Sequence, residues 1–314
     1  MTEPATHGVV ASLSELIGLR ALGQSSLRAR AARTAAAPGS HATPHKSRGM
    51  EFAEVRPYQS GDDARLLDWR QTARRGRPYT KLFQEEHERP VQLLVDLGPS
   101  MRFGTRSVFK SVLAARVAAL LAWRAVAVGD RVGGLVCNGA DLQTIRPQSR
   151  QHGVLTLLAC LAAASNAPPG NQPTAMELAL HTLARTQRPG SLIVILSDFT
   201  TLDAPQERQI VALAQKSELR LIHVYDIFEA QAPPPGRYRL TDGERSLSLD
   251  LRTPGARGAY GAAFAERRLA LEQLALRARA TLLPLATHMP VETVLAPAVQ
   301  PLPGWRGAGA RLAA

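Results

Sequence analysis

The stretch Val91-Gln92-Leu93-Leu94-Val95-Asp96-Leu97-Gly98-Pro99-Ser100 decides the fold. It is short and almost wholly apolar, and it breaks at a carboxylate followed by glycine and proline. A strand with one face in water alternates apolar and polar residues. A continuous run marks a strand covered on both faces, as in parallel sheets packed between helices. Downstream, Ile193-Val194-Ile195-Leu196-Ser197-Asp198 repeats the form and again closes on aspartate. If both strands lie in one parallel sheet, Asp96 and Asp198 come near each other at its carboxyl edge, where ligands of such folds sit.

The flanking pattern alternates in the same sense. Thr105 is expected to cap a helix over residues 105–128, with Phe109, Val112, Leu113, Val117, Leu120 and Leu121 facing inward. Residues 130–138 read as a strand that pairs with 142–145 as a hairpin through Asn138-Gly139. Helices are expected over 149–164, 174–186, 203–217 and 260–280, and strands over 191–197, 218–226 and 281–286. Residues 238–251, centred on Asp242-Gly243, read as an inserted hairpin. Strands alternating with helices define an α/β class with a doubly wound, mostly parallel sheet. The chain divides into an N-terminal helix (12–33) and linker over 1–47, a charged extension over 48–88, the α/β domain over 89–290, and an aperiodic tail over 291–314, for which disorder is the expectation.

Of 314 residues, 45% are hydrophobic, enough for a sizeable core, and the formal net charge is +12. That charge would suit an anionic polymer. However, only Lys46, Lys81, Lys110 and Lys216 are lysines, and the arginines are scattered. Arginine, alanine and proline rise together in GC-rich coding sequence, so no specific nucleic-acid partner is expected. Cys137 and Cys160 lie in apolar contexts and read as buried thiols of a reducing compartment. The longest apolar region, 111–129, is interrupted by Arg116 and Arg124, and the N-terminus lacks a signal-peptide layout. The expectation is a cytoplasmic protein with no transmembrane segment.

Between Arg48 and Arg74 the chain is dense in charge yet carries Phe52, Val55, Tyr58, Leu66, Leu67 and Trp69. Solvated charge runs rarely contain so many large apolar groups. Glu51, Glu54, Asp62, Asp63 and Asp68 are close in sequence to Arg56, Arg65, Arg70 and Arg74. This mixture supports three readings: a structural clasp of paired charges, a docking surface, or a carboxylate cluster with catalytic work. Trp69 reads as an anchor in a core or interface rather than a ligand stacker. Residues 77–83 alternate like a short strand after an Arg75-Gly76 turn.

Three further groups, Glu51-Phe-Ala-Glu-Val-Arg-Pro-Tyr58, Gly61-Asp-Asp63 and Asp68-Trp-Arg70, carry a resemblance. With Glu85-Glu-His-Glu-Arg-Pro-Val91 and Leu94-Val-Asp-Leu-Gly-Pro-Ser-Met-Arg-Phe-Gly104, they resemble the bacterial family labelled domain of unknown function 58, over about residues 40–230. The resemblance implies a von Willebrand factor A-type domain, together with partners that include a MoxR-type AAA+ ATPase and other von Willebrand factor A proteins. Many relatives carry membrane helices, so this chain resembles a short soluble branch. The implied metal-ion-dependent adhesion site maps onto Asp96, Ser100, Thr174 and Asp198. Magnesium prefers six oxygens and keeps several waters, leaving one position for a partner's carboxylate. Gly98 stands where the family of sites has a serine, so the site is degenerate and magnesium is expected to be weakly held or absent. The competing reading is that Asp96 and Asp198 bond loop amides at the sheet edge.

The loop 98–107 has the outline of a phosphate-binding loop, but its spacing is one residue too long and its lysine is missing. No His-Glu-x-x-His or Gly-x-Ser-x-Gly is present. The expected function is a non-enzymatic interaction module, an accessory or adaptor of the MoxR-type ATPase. An anionic-polymer binder and a metal-dependent hydrolase using the carboxylates are the alternatives.

Overall fold

The structure is a computed structural model and describes residues 8–23, 50–59, 63, 65, 67–85, 89–168, 170, 175–241 and 246–295. In chain order the elements are α1 (Leu13–Gly18), β1 (Met50–Pro57), α2 (Trp69–Arg75), β2 (Tyr79–Glu85), β3 (Pro90–Asp96), α3 (Lys110–Ala127), β4 (Arg131–Cys137) and β5 (Leu142–Gln148). There follow α4 (Arg150–Asn166), α5 (Ala175–Thr186), β6 (Leu192–Ser197), α6 (Ala204–Ala214), β7 (Glu218–Tyr225), α7 (Ile227–Ala230), β8 (Arg237–Thr241), β9 (Ser246–Asp250), α8 (Pro254–Arg277) and β10 (Thr281–Ala286). Single 3-10 turns form at Pro99–Met101 and Val291–Leu295.

Six strands form one sheet in the order β10-β7-β6-β3-β4-β5. All neighbours are parallel except the β4–β5 hairpin. The apolar run of β3 explains itself here. Leu93 and Val95 enter one core with α3 and α4, whereas Leu94 enters the other with α5, α6 and α8. Side chains alternate across a strand, so both faces must be apolar when both are covered. Each such fully buried Leu contributes about 1.5–3 kcal/mol. The hairpin expected at Asn138-Gly139 is present. Asn138 Oδ1 accepts from the N–H groups of Ala140 and Asp141, and Gly139 takes φ 81°, which a side chain would resist.

α1 packs into this unit. Leu16 is fully buried, Trp123 Nε1 donates to the Leu16 carbonyl at 3.1 Å, and Glu15 pairs with Arg116. Thus the helix that the sequence sets apart with the linker over 1–47 belongs to the same compact unit as residues 89–295. Its expected extent to residue 33, the linker, the Asp242-Gly243 turn and the tail beyond Leu295 lie outside the described residues.

Two boundaries differ from expectation. α3 begins at Lys110 rather than at Thr105, because Thr105 is taken by a long-range partner described below. α8 begins at Pro254, with Thr253 Oγ1 accepting from Ala256 N, six residues before the apolar periodicity begins. A cap and a proline at the first position start a helix that its periodicity does not announce.

The second unit comprises the described residues of 50–85. β1 and β2 pair antiparallel, with a bulge between Phe52 and Glu54. Asp68 Oδ1 caps α2, accepting from the N–H groups of Arg70 and Gln71, and Gly76 at φ 68° ends it. The Thr72 hydroxyl accepts from Tyr79 N, tying α2 to β2.

Candidate functional site at the carboxyl edge of the sheet

From β3 the chain winds outward through β4 to β5, then returns to lay β6 on the other side of β3 and continues through β7 to β10. The winding therefore reverses between β3 and β6, and such switch points open a crevice at the carboxyl ends of the strands. Val95 pairs with Leu196, which sets Asp96 beside Ser197 with Asp198 next along. The expected approach of Asp96 and Asp198 is met: both are buried, and the charge of Asp198 raises the electrostatic cost of charging Asp96.

Their surroundings are closed. Asp96 Oδ1 accepts from Gly98 N at 2.9 Å, and Oδ2 accepts from the Ser197 hydroxyl at 2.7 Å. Asp198 Oδ1 accepts from the N–H and hydroxyl of Thr200 at 3.1 and 2.9 Å. Asp198 Oδ2 accepts from Lys110 Nζ at 2.8 Å, and Lys110 Nζ also donates to Glu229 Oε1 at 2.7 Å. Lys110 is 1% exposed. Burial would push Lys110 down, but Asp198 and Glu229 outweigh it and hold its pKa above the ordinary lysine value. Burial would raise Asp198, and Lys110 outweighs that and holds it low. Asp96 lacks such a partner. Burial first, and Asp198 second, raise it to about 6. Beside it on β4, the Cys137 thiol is pushed up to about 12 by burial and by Asp96. Cys137 is buried as expected, whereas Cys160 is half-buried.

A second acid locks the loops. Asp226 accepts from Thr105 N and Oγ1, Phe228 N and Thr287 Oγ1, joining the segments after β3, β7 and β10. Glu229 completes a capping box by accepting from Asp226 N at 2.8 Å. Lys110, Ser197, Asp226, Glu229 and Thr287 were not predicted as site residues from the sequence pattern, and Thr105 was expected only as a helix cap. The one legible signal was rarity, since Lys110 is one of four lysines and opens a long apolar helix.

Against α8, a cavity of about 140 Å³ is lined in part by Asp198, Thr200, Glu229, His223 and Phe264. His223 is buried among Phe199, Tyr225 and Phe264, and its Nδ1 has no hydrogen-bond partner among the described residues. Burial drives its pKa down to about 4, so the imidazole is neutral at physiological pH.

Among the described residues, Asp96, Ser100 and Asp198 do not fit a magnesium site. Thr174 lies outside the described residues, and Ser100 is exposed on the 3-10 turn. Asp198 already holds an ammonium. The charge of that ammonium opposes a dication at the same carboxylate. A side chain at residue 98 would place its Cβ 3.1 Å from Asp96 Oδ1 and crowd the carboxylate. The sequence alternative, carboxylates that bond loop amides, describes the contacts of Gly98 and Thr200, with Lys110 added.

The described residues of the charged signature are carried on β1, on α2 and on the segment between them. Glu51 and Glu54 are carried on β1, and Asp62 lies outside the described residues. Arg56 Nη1 donates to the Pro57 carbonyl, Tyr58 N to the Pro78 carbonyl, and Arg65 N to Asp63 Oδ1. Arg65 and Arg70 are exposed, and Asp68 serves the α2 amides. Trp69 is 71% exposed and anchors no core. A two-turn helix on a two-stranded ribbon has too little area to bury an indole.

These features define a doubly wound α/β protein with a closed polar network at its switch point and a separate charged ribbon-and-helix unit. Residues 54–270 match the family described as protein of unknown function DUF58, and the chain belongs to that family. The uncharacterized proteins Mb1516 of Mycobacterium bovis and Rv1480 of Mycobacterium tuberculosis are each 31% identical over 243 residues, covering 76% of this chain and 75% of their own. Among solved structures, the conserved hypothetical protein BatB from Bacteroides thetaiotaomicron is similar at a TM-score of 0.40 and 16% identity, over 63% of this chain and 90% of that one. A von Willebrand factor type A structure from Catenulispora acidiphila is similar at 0.36 and 13% identity, over 69% and 42%. No helix among the described residues is long and apolar enough to cross a membrane.

Proposed function

We propose that this chain is a non-enzymatic protein-interaction module of von Willebrand factor A type, acting as an accessory or adaptor of a MoxR-type AAA+ ATPase. Family membership and the switch-point topology support the reading. The observation that carries it is Trp69, an indole 71% exposed on α2 beside the exposed Arg70 and Arg74. Exposed large aromatics flanked by arginine are the residue types that dominate binding energy in protein interfaces. On this reading the exposed face of α2 in the charged signature serves as a docking surface. The test is Trp69→Ala in the full chain, titrated against a purified MoxR-type ATPase. Loss of the complex with an unchanged melting temperature supports the reading. Absence of any complex with the unsubstituted chain overturns it, as does retained binding by Trp69→Ala.

A further inference from the structure

We infer that the ammonium group of Lys110 stands in for a divalent cation at the carboxyl edge of the sheet, so that this edge carries a tethered cation of its own and binds no magnesium. Three independent features meet there. The topology brings two aspartates to one switch point, a concentration of negative charge that needs a cation nearby. Lys110, the first residue of α3, reaches Asp198 at 2.8 Å and Glu229 at 2.7 Å and is almost wholly shielded from water. The remaining oxygens of the two aspartates are engaged by Gly98, Ser197 and Thr200, all at the same sheet edge.

A compact ammonium with three donors can satisfy two carboxylates in a buried site, as a metal would, but it presents no open coordination position. With its side chain 1% exposed, Lys110 is beyond the reach of a carboxylate from a partner. The edge is therefore closed to the metal-bridged mode of docking, and any partner contacts made by this domain are independent of divalent ions. Glu229 adds a mechanical link. It receives Lys110 through one oxygen and the Asp226 backbone through the other, so the tethered cation ties α3 to α7. This inference stands whether or not the chain docks a protein.

Manganese is the probe, followed by paramagnetic resonance and by melting temperature in the full chain. The unsubstituted protein is expected to show no saturable manganese binding up to about 10 mM and no metal-dependent melting shift. Lys110→Ala frees both carboxylates and should bind manganese at least about tenfold more tightly than that limit, with a melting temperature that rises on metal addition. Lys110→Gln keeps two N–H donors without the charge and serves as the folded variant if Lys110→Ala does not fold; it should also gain manganese binding. Saturable sub-millimolar binding by the unsubstituted protein that is lost in Asp198→Asn overturns the inference. A folded Lys110→Gln without manganese binding overturns it equally.

Discussion

Thr105 donates both its backbone N–H, at 3.0 Å, and its hydroxyl, at 2.6 Å, to the carboxylate of Asp226, a residue 121 positions away. That pairing removes Thr105 from the start of α3 and makes it a clamp between the loop after β3 and the start of α7. Asp226 is fully buried, and its four donors hold it charged, below the usual carboxylate range. Asp226→Ala should cost about 3 kcal/mol or more, because it orphans several buried donors at once. Thermal melts should show the loss, and amide exchange should speed up at Thr105 and Phe228. A loss under about 1 kcal/mol would mean water replaces the carboxylate without penalty.

The buried pair of Lys110 and Asp198 should behave as a unit. Removing one member of a buried ion pair costs about 3–5 kcal/mol, mainly through the charge left behind. Asp198→Ala and Lys110→Met should each fall in that range, and the double substitution should cost clearly less than their sum. A double-mutant cycle in urea reads the coupling. Additive losses would show that the two groups do not interact.

Asp96 and His223 should give opposite pH dependences. Unfolded, Asp96 titrates near 3.8; folded, near 6. Between those values the folded state holds the extra proton, so stability falls as pH rises, and a penalty of about 3 kcal/mol is complete above pH 6. His223 titrates near 6.5 unfolded and near 4 folded. The folded state refuses that proton, so stability falls as pH drops from 6.5 to 4, by a similar amount. The two trends offset each other in the unsubstituted protein. Asp96→Asn should be stabilising by up to about 3 kcal/mol at pH 7.5 and neutral below pH 4. His223→Phe should leave a protein that gains stability on acidification from pH 6 to 4. Urea melts at several pH values check both; identical profiles for all three proteins would refute the assignment.

Asp68 tests the second unit. As an N-cap it accepts two backbone N–H groups, so Asp68→Ala should cost about 1 kcal/mol, and Asp68→Asn should restore most of it. A buried ion pair would instead cost about 3–5 kcal/mol and would not be rescued by Asn. Melting curves for the two variants distinguish the cases.

Much of the fold was legible because it rests on local repetition. The apolar runs of β3 and β6, the helical spacing of α3 and α5, and the Asn138-Gly139 turn are each written in neighbouring residues. Periodicity reports which faces are buried. From two aspartates ending two buried strands, the meeting of Asp96 and Asp198 also followed. What the local pattern could not carry was partner choice across long sequence separation. Thr105 reads as a helix cap because caps are local, yet its hydroxyl goes to Asp226. Asp68 reads as half of an ion pair because arginines stand beside it, yet its carboxylate caps its own helix.

The sequence by itself determined the alternation of strands and helices, the two covered faces of the sheet and the acids at its carboxyl edge, since each depends only on residue type and spacing. Only the tertiary structure decided what neutralises Asp198. Lys110 lies 88 residues from Asp198 and 119 from Glu229. A buried charge is matched by whichever group the fold delivers within about 3 Å, and that distance is set by packing, not by order along the chain.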